Sequence, residues 1–313
     1  MRRGSSARSV LSGRRAAQAS HRAVRHPSVA VCDDATMRRY GFVYNPTNDL
    51  ALEAWDEAAG WCAARGIEHW GFAAEERENI AAALPGSEVL FSLGGDGTFL
   101  RAAAAVAEQS VPLLGINLGK IGFLARSESF QLASALEAFS EGKWSAQERM
   151  ALRATVQRAD GGERTFTALN DVVVARGRLP RVVRLDVAIG ESHLATYIAD
   201  GVVVSSPTGS TGYSFSAGGP ILDPVSRNII VTPIAAYLAT LRSVVVSADQ
   251  VVICTVVDGE EAVISIDGWI DEPLATGDRV RVSAAPLPIR FAELHGLAPF
   301  WDLVRQKVDL LPR

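Results

Sequence analysis

The feature that most constrains this chain is one passage of strand, turn and helix. Val89-Leu90-Phe91-Ser92-Leu93 is almost wholly apolar, Gly94-Gly95-Asp96-Gly97-Thr98 follows at once, and small and apolar residues at helical spacing continue to Gln109. A strand apolar on both faces belongs in a parallel sheet covered on both sides. Parallel strands need crossover connections, usually helices, so the passage predicts an alternating strand–helix fold. The neighbouring segments agree. Residues 40–44 read as a strand, Asn45-Pro46-Thr47-Asn48 as a loop ending in a helix cap, and residues 50–65 as a helix carrying Leu52, Trp55, Ala59 and Cys62 on one face. Gly66 closes that helix, and residues 111–116 form a third strand.

After about residue 148 the rhythm changes to short, Val- and Ile-rich segments: 153–157, 166–174, 182–189, 195–198, 202–205, 228–231, 244–246, 251–256, 262–266 and 279–284. These predict a mainly β region. Residues 300–310 return to helical spacing. The expected class is α/β, with a doubly wound, Rossmann-like N-terminal domain and a mainly β C-terminal domain. The expected boundaries are a basic tail at 1–38, the α/β domain at 39–148 plus 287–313, and the β-rich domain at 149–286. The last helix is expected to return to the first domain.

Charge narrows the function classes. Residues 1–31 hold seven Arg and no acid, so residues 32–313 carry 24 basic against 35 acidic residues, about −11. An acidic body argues against nonspecific nucleic-acid binding. The tail reads either as a disordered extension or as an organelle transit peptide, and it lacks the apolar core of a secretory signal. The most apolar stretch, residues 229–241, is interrupted by Thr232 and Pro233 and is shorter than the ~20 residues of a spanning helix. Cys32, Cys62 and Cys254 form no C-x-x-C pair and read as reduced thiols, consistent with a cytoplasmic protein.

The glycine turn carries the chemistry. Its glycines admit positive φ and close approach of a ligand, Thr98 is suited to cap the helix, and a helix N-terminus offers free N–H groups to phosphate. A carboxylate in such an anion site, Asp96, needs a task; taking a proton from an attacking hydroxyl is one. No lysine follows, so the turn is not a G-x-x-x-x-G-K-[ST] phosphate loop, and it is not G-x-G-x-x-G.

The turn resembles the G-G-D-G-T signature shared by NAD kinases, diacylglycerol and sphingosine kinases and, in a related form, phosphofructokinases. Three further segments resemble NAD kinases in particular. Residues 114–124 are similar to their L-G-x-N-x-G-x-x-G-F-L stretch, in which Phe123 reads equally as an adenine-stacking face or as core. Asn170-Asp171 stand at the head of an apolar strand, where burial penalises them unless they bind something; they suit a ribose diol, although an Asx turn reads the same way. Residues 197–220 are similar to the family's long Gly/Ser/Thr block. Phe300-Trp301-Asp302-Leu303-Val304-Arg305 is similar to its closing helix.

That resemblance implies phosphorylation of the adenosine-ribose 2′-hydroxyl of NAD, with ATP or polyphosphate as donor and Mg2+ or another divalent cation alongside. It implies Asp96 as proton acceptor and a nucleotide-binding set of Gly95, Gly97, Thr98, Arg101, Phe123, Asn170, Asp171, Arg181, Asp200, Thr211, Gly212, Tyr213, Ser214 and Ser216. Within that set Asn170 and Asp171 hold ribose, Arg181 lies near phosphate, Asp200 faces the nicotinamide side, and residues 211–216 wrap adenosine. It also implies a homodimer or homotetramer. Three departures stand out: Ser206 and Gly212 replace Thr and Ala, Ala236-Tyr237 replace Pro-His, and Trp269 follows Asp267-Gly268 where Gln is usual. The last bears on whether NAD or NADH is preferred. The rival readings are a lipid kinase, which requires an exposed apolar groove, and a non-catalytic NAD-binding regulator.

Overall fold

The computed structural model describes residues 38–309 apart from 120–121, 126, 129–131, 178–181, 239–240 and 259–261. Residues 1–37 of the expected basic tail and Arg181 lie outside the described residues. The first part of the chain runs β1 (Arg39–Tyr44), α1 (Asp49–Ala63), β2 (Glu68–Ala73), α2 (Arg77–Ala83), β3 (Val89–Gly94), α3 (Asp96–Val106), β4 (Leu113–Asn117), β5 (Ser127–Glu128), α4 (Leu132–Ser140) and β6 (Trp144–Arg149). The β region follows as β7 (Leu152–Gln157), β8 (Glu163–Ala168), β9 (Asp171–Arg176), β10 (Val183–Ile189), β11 (Ser192–Ala199) and β12 (Gly201–Ser205). A single 3-10 turn and the one-turn helix α5 (Tyr213–Ser216) lead to β13 (Asn228–Ile234), β14 (Val244–Ser247), β15 (Val252–Asp258), β16 (Ala262–Ile266), β17 (Ile270–Leu274), β18 (Arg279–Ala284), β19 (Ile289–Leu294) and α6 (Phe300–Asp309).

The first sheet has the order β2-β1-β3-β4-β19-β6, with β5 beside β4. It is parallel except where β6 runs antiparallel to β19. Its strands alternate faces, as a period of two requires. Tyr40, Phe42, Phe91, Leu93, Leu114 and Ile116 pack with α1 and α4 on one face; Val43, Leu90 and Leu113 pack with α2 and α3 on the other. Helices on both faces make this layer doubly wound. At the end of α1, Gly66 sits at φ +66°, the Ile67 N–H reaches Cys62 O at 3.0 Å and the Gly66 N–H reaches Ala63 O at 3.2 Å. That is a Schellman stop, with Asn48 capping the opposite end through the Leu50 N–H at 3.1 Å.

Two antiparallel sheets, β11-β10-β15-β18-β7-β8 and β14-β13-β12-β9-β16-β17, face each other across one apolar core that includes Leu152, Val172, Val202, Ile229, Val256 and Ile264. The strand expected over residues 166–174 is two strands in different sheets. The break falls at Leu169 and Asn170, whose backbone is taken over by Asp267 and Ser206, so the ladder cannot run on. From α6, Phe300 lies 6.3 Å from Phe123 between ring centroids and the Lys307 ammonium sits 4.5 Å over the same ring, which brings the last helix onto the loop after β4. Among the described residues no helix is long and apolar enough to cross a membrane.

Candidate active site

The glycine turn differs in detail from the expectation. Helix α3 starts at Asp96, two residues before Thr98, and Gly95 occupies the cap position in extended backbone without a side-chain cap bond. None of Gly94, Gly95 and Gly97 has positive φ. Their use is space. A Cβ on Gly94 would fall 2.4 Å from Thr98 Oγ1, whereas Cβ atoms on Gly95 and Gly97 would meet nothing within 4 Å. Thr98 is therefore a buried packing residue of the first turn, while Gly95 and Gly97 border open room. By helix geometry the first-turn N–H groups have no intrahelical partner.

Asp96 is anchored. Its carboxylate accepts the backbone N–H groups of Phe123 at 3.0 Å, Leu124 at 3.2 Å and Ala125 at 3.2 Å. The contact is so close that a Cβ on Gly122 would lie 1.9 Å from Asp96 Oδ1. The loop after β4 and the first turn of α3 are thus one unit.

A second carboxylate organises the β region, and sequence reasoning passed over it as a site residue. Asp267 is buried and accepts the N–H groups of Leu169 at 2.8 Å, Asn170 at 2.8 Å and Asp171 at 3.0 Å. It occupies the left-handed region at φ +49° in the three-residue turn between β16 and β17. An Asp-Gly pair between two strands reads as an ordinary hairpin turn, which concealed this second task. Ser206 completes the clamp: its hydroxyl donates to Leu169 O at 2.5 Å and accepts the Gly209 N–H at 3.1 Å.

Two adjoining cavities result. One, of about 300 Å3, is lined by Asn45, Gly95, Gly97, Thr98, Arg101, Asp267, Gly268 and Trp269. The other, of about 440 Å3, is lined by Asn170, Asp171, Val173, Ala175, Tyr213, Ser265, Asp267 and Gly268. Both fall within the roughly 300–1,000 Å3 of small-molecule sites, and they share the Asp267-Gly268 wall. The first pairs a helix N-terminus with a cation, chemistry suited to phosphate. The second pairs an amide, a carboxyl and an aromatic ring, chemistry suited to a nucleoside.

The remaining candidates fall around this pair of cavities. Arg101 is ion-paired with Glu75 at 2.9 Å. A Cβ on Gly212 would lie 3.7 Å from an Asp171 carboxylate oxygen, placing this turn against the second cavity. Thr211 and Ser216 bond to backbone carbonyls of their own turn at 3.4 and 3.5 Å. The Ser214 hydroxyl is buried against Thr232 at 3.2 Å, so it serves packing. Asp200 accepts from Arg176 Nε at 2.7 Å. Asp96 itself lines neither cavity, and nor do Phe123, Asp200, Thr211, Gly212, Ser214 and Ser216.

Electrostatics single out the two buried acids. Burial, and then the charge of neighbouring Asp267, push Asp171 up from 3.8 to about 7. Asp267 is itself pushed up by burial, to about 6, against the pull of its three backbone donors. Those three backbone donors make Asp267 the more acidic of the pair.

Residues 61–144 match the family described as ATP-NAD kinase N-terminal domain, and residues 169–294 match ATP-NAD kinase C-terminal domain. An NAD kinase of Moorella thermoacetica is 45% identical over 234 residues, covering 74% of this chain and 73% of that protein. One of Dehalococcoides mccartyi is 36% identical over 258 residues, covering 82% and 91%. The fold is also that of yeast NADH kinase complexed with NADH, at TM-score 0.77 and 22% identity over 88% of this chain and 87% of that one. It is equally that of an Archaeoglobus fulgidus NAD kinase in complex with ATP, at TM-score 0.70 and 22% identity over 88% and 100%. With both domains matched in chain order and such identities over most of its length, the chain belongs to the NAD kinase family.

Proposed function

We propose that the chain transfers a phosphoryl group from ATP to the adenosine-ribose 2′-hydroxyl of NAD, giving NADP, with Asp96 as proton acceptor. The observation that carries this reading is the placement of Asp96 on the first turn of α3, whose neighbours Gly95, Gly97 and Thr98 line a cavity that shares the Asp267-Gly268 wall with the Asn170–Asp171 cavity. Relatives bound to NADH and to ATP support the two ligand classes.

In this reading the ribose lies against Asn170 and Asp171 with Tyr213 beside the nucleoside. The donor phosphates meet the free N–H groups of the α3 N-terminus. A ribose hydroxyl reaching Asp96 can use the acceptor site on Oδ2 that its three backbone donors leave open. General-base action contributes about 10²–10⁴-fold, and positioning supplies the remainder. Among the described residues no group of three His, Cys, Asp or Glu side chains could hold a metal ion. A divalent cation would enter with the donor phosphates, where it would neutralise the transferred charge.

The test is incubation of the pure protein with Mg2+, with ATP or polyphosphate, and with NAD or NADH. NADP or NADPH carrying a 2′-phosphate is the expected product, and absence of product in all four combinations refutes the reading. By family resemblance we take the working form to be a cytoplasmic homodimer or homotetramer, which sedimentation of the same preparation tests.

A further inference from the structure

The phosphate-suited cavity has an outer wall that its glycine turn does not explain. Trp269 lines it, and the guanidinium carbon of Arg77, not itself a lining residue, lies over that indole, 3.8 Å from the ring centroid. Arg77 belongs to α2 and Trp269 to the β16–β17 turn, so the stack joins the first sheet's layer to the β region at the cavity rim. The Trp269 indole N–H is buried with no hydrogen-bond partner among the described residues, so the ring is held there by packing and by the stack.

The neighbouring acids are committed elsewhere. Glu75 pairs with Arg101 at 2.9 Å, and Glu76 accepts from the Ala73 N–H at 2.9 Å and from Asn79 at 2.8 Å. Arg77 has no carboxylate partner among the described residues, and Arg101 is close enough to add, after burial, to the lowering of its pKa. A stacked guanidinium keeps its in-plane N–H groups free and already oriented, the arrangement that binds phosphate bidentately.

We propose that Arg77, held by Trp269, is a specificity-determining contact for the phosphate chain of the phosphoryl donor. Trp269 is the positioning residue that presents it. This rests on the function proposed above, in which the 300 Å3 cavity takes the donor.

The experiment compares Arg77→Ala, Trp269→Gln, Trp269→Phe and the Arg77→Ala/Trp269→Gln double variant. Arg77→Ala raises the KM for ATP about tenfold or more, the loss typical of one charge-assisted hydrogen bond, and leaves the KM for NAD within about twofold. Trp269→Gln raises the same KM, Trp269→Phe restores it, and the double variant is no worse than Arg77→Ala, as coupled residues require. An unchanged KM for ATP in Arg77→Ala, or equal rises for both substrates, overturns the proposal. Calorimetry with inorganic tripolyphosphate separates it from the reaction itself. About tenfold weaker binding by Arg77→Ala upholds the contact even in a protein that forms no NADP, and equal binding overturns it.

Discussion

Asp171→Asn makes the buried acid pair measurable. The folded protein holds the Asp171 proton up to about pH 7, because burial and then the Asp267 charge oppose ionisation. The unfolded chain loses that proton near pH 4. A raised carboxyl costs stability as pH climbs from the unfolded value to the folded one, and the loss levels off above the folded value. The slope within that window is about 1.4 kcal/mol per pH unit. Between pH 5 and pH 7 the wild-type protein therefore loses about 2 kcal/mol that an asparagine does not. Urea unfolding of the ligand-free proteins at pH 5, 6, 7 and 8 reads this directly. The variant gains on the wild type by roughly that amount up to pH 7, with little further gain at pH 8. Parallel stability curves for the two proteins would show that the Asp171 carboxyl is not forced to keep its proton, and would refute the electrostatic account of the site.

Other residues make separate predictions. Gly122→Ala places a methyl group on the Asp96 carboxylate, where the Cβ would lie 1.9 Å from Oδ1. It should abolish turnover while far-UV circular dichroism stays unchanged. Asp267→Ala leaves three N–H groups at residues 169–171, two buried and one part-buried, without their acceptor. Each unsatisfied group costs about 1–3 kcal/mol, so denaturant unfolding should show a loss of at least about 3 kcal/mol, with dinucleotide affinity falling as well. Asp267→Asn, which keeps one acceptor oxygen and tolerates positive φ, should recover part of both.

The parts legible in the sequence are those where one local rule decides the structure. β3, the turn and α3 are announced by a strand apolar on both faces followed by glycines. The stop at Gly66 and the cap at Asn48 are likewise local chemistry. Edge strands were not legible: β2 (Glu68–Ala73) and β6 (Trp144–Arg149) carry mixed, half-exposed residues that hold their place by pairing with β1 and β19. The division of residues 166–174 was not legible either, because its cause, Asp267, lies about a hundred residues away. The site divides in the same way. Asp96, Asn170 and Asp171 stood out as polar groups in apolar or glycine-rich surroundings, whereas nothing local marks Asp267, in a turn between two strands, as a site residue. Arg77 sits on an exposed, polar helix start where nothing local distinguishes it from a solvated charge.

The central claim is that Asp96 takes the proton from the hydroxyl being phosphorylated, and Asp96→Asn tests it most directly. Asparagine keeps one oxygen for the N–H groups of residues 123–125, so the turn retains part of its anchor, but it is no base at neutral pH. NADP formation and NAD binding should be measured on the same preparations. The account predicts turnover reduced about 10²–10⁴-fold with NAD affinity within a few-fold of wild type. Turnover at the wild-type rate in Asp96→Asn would contradict it.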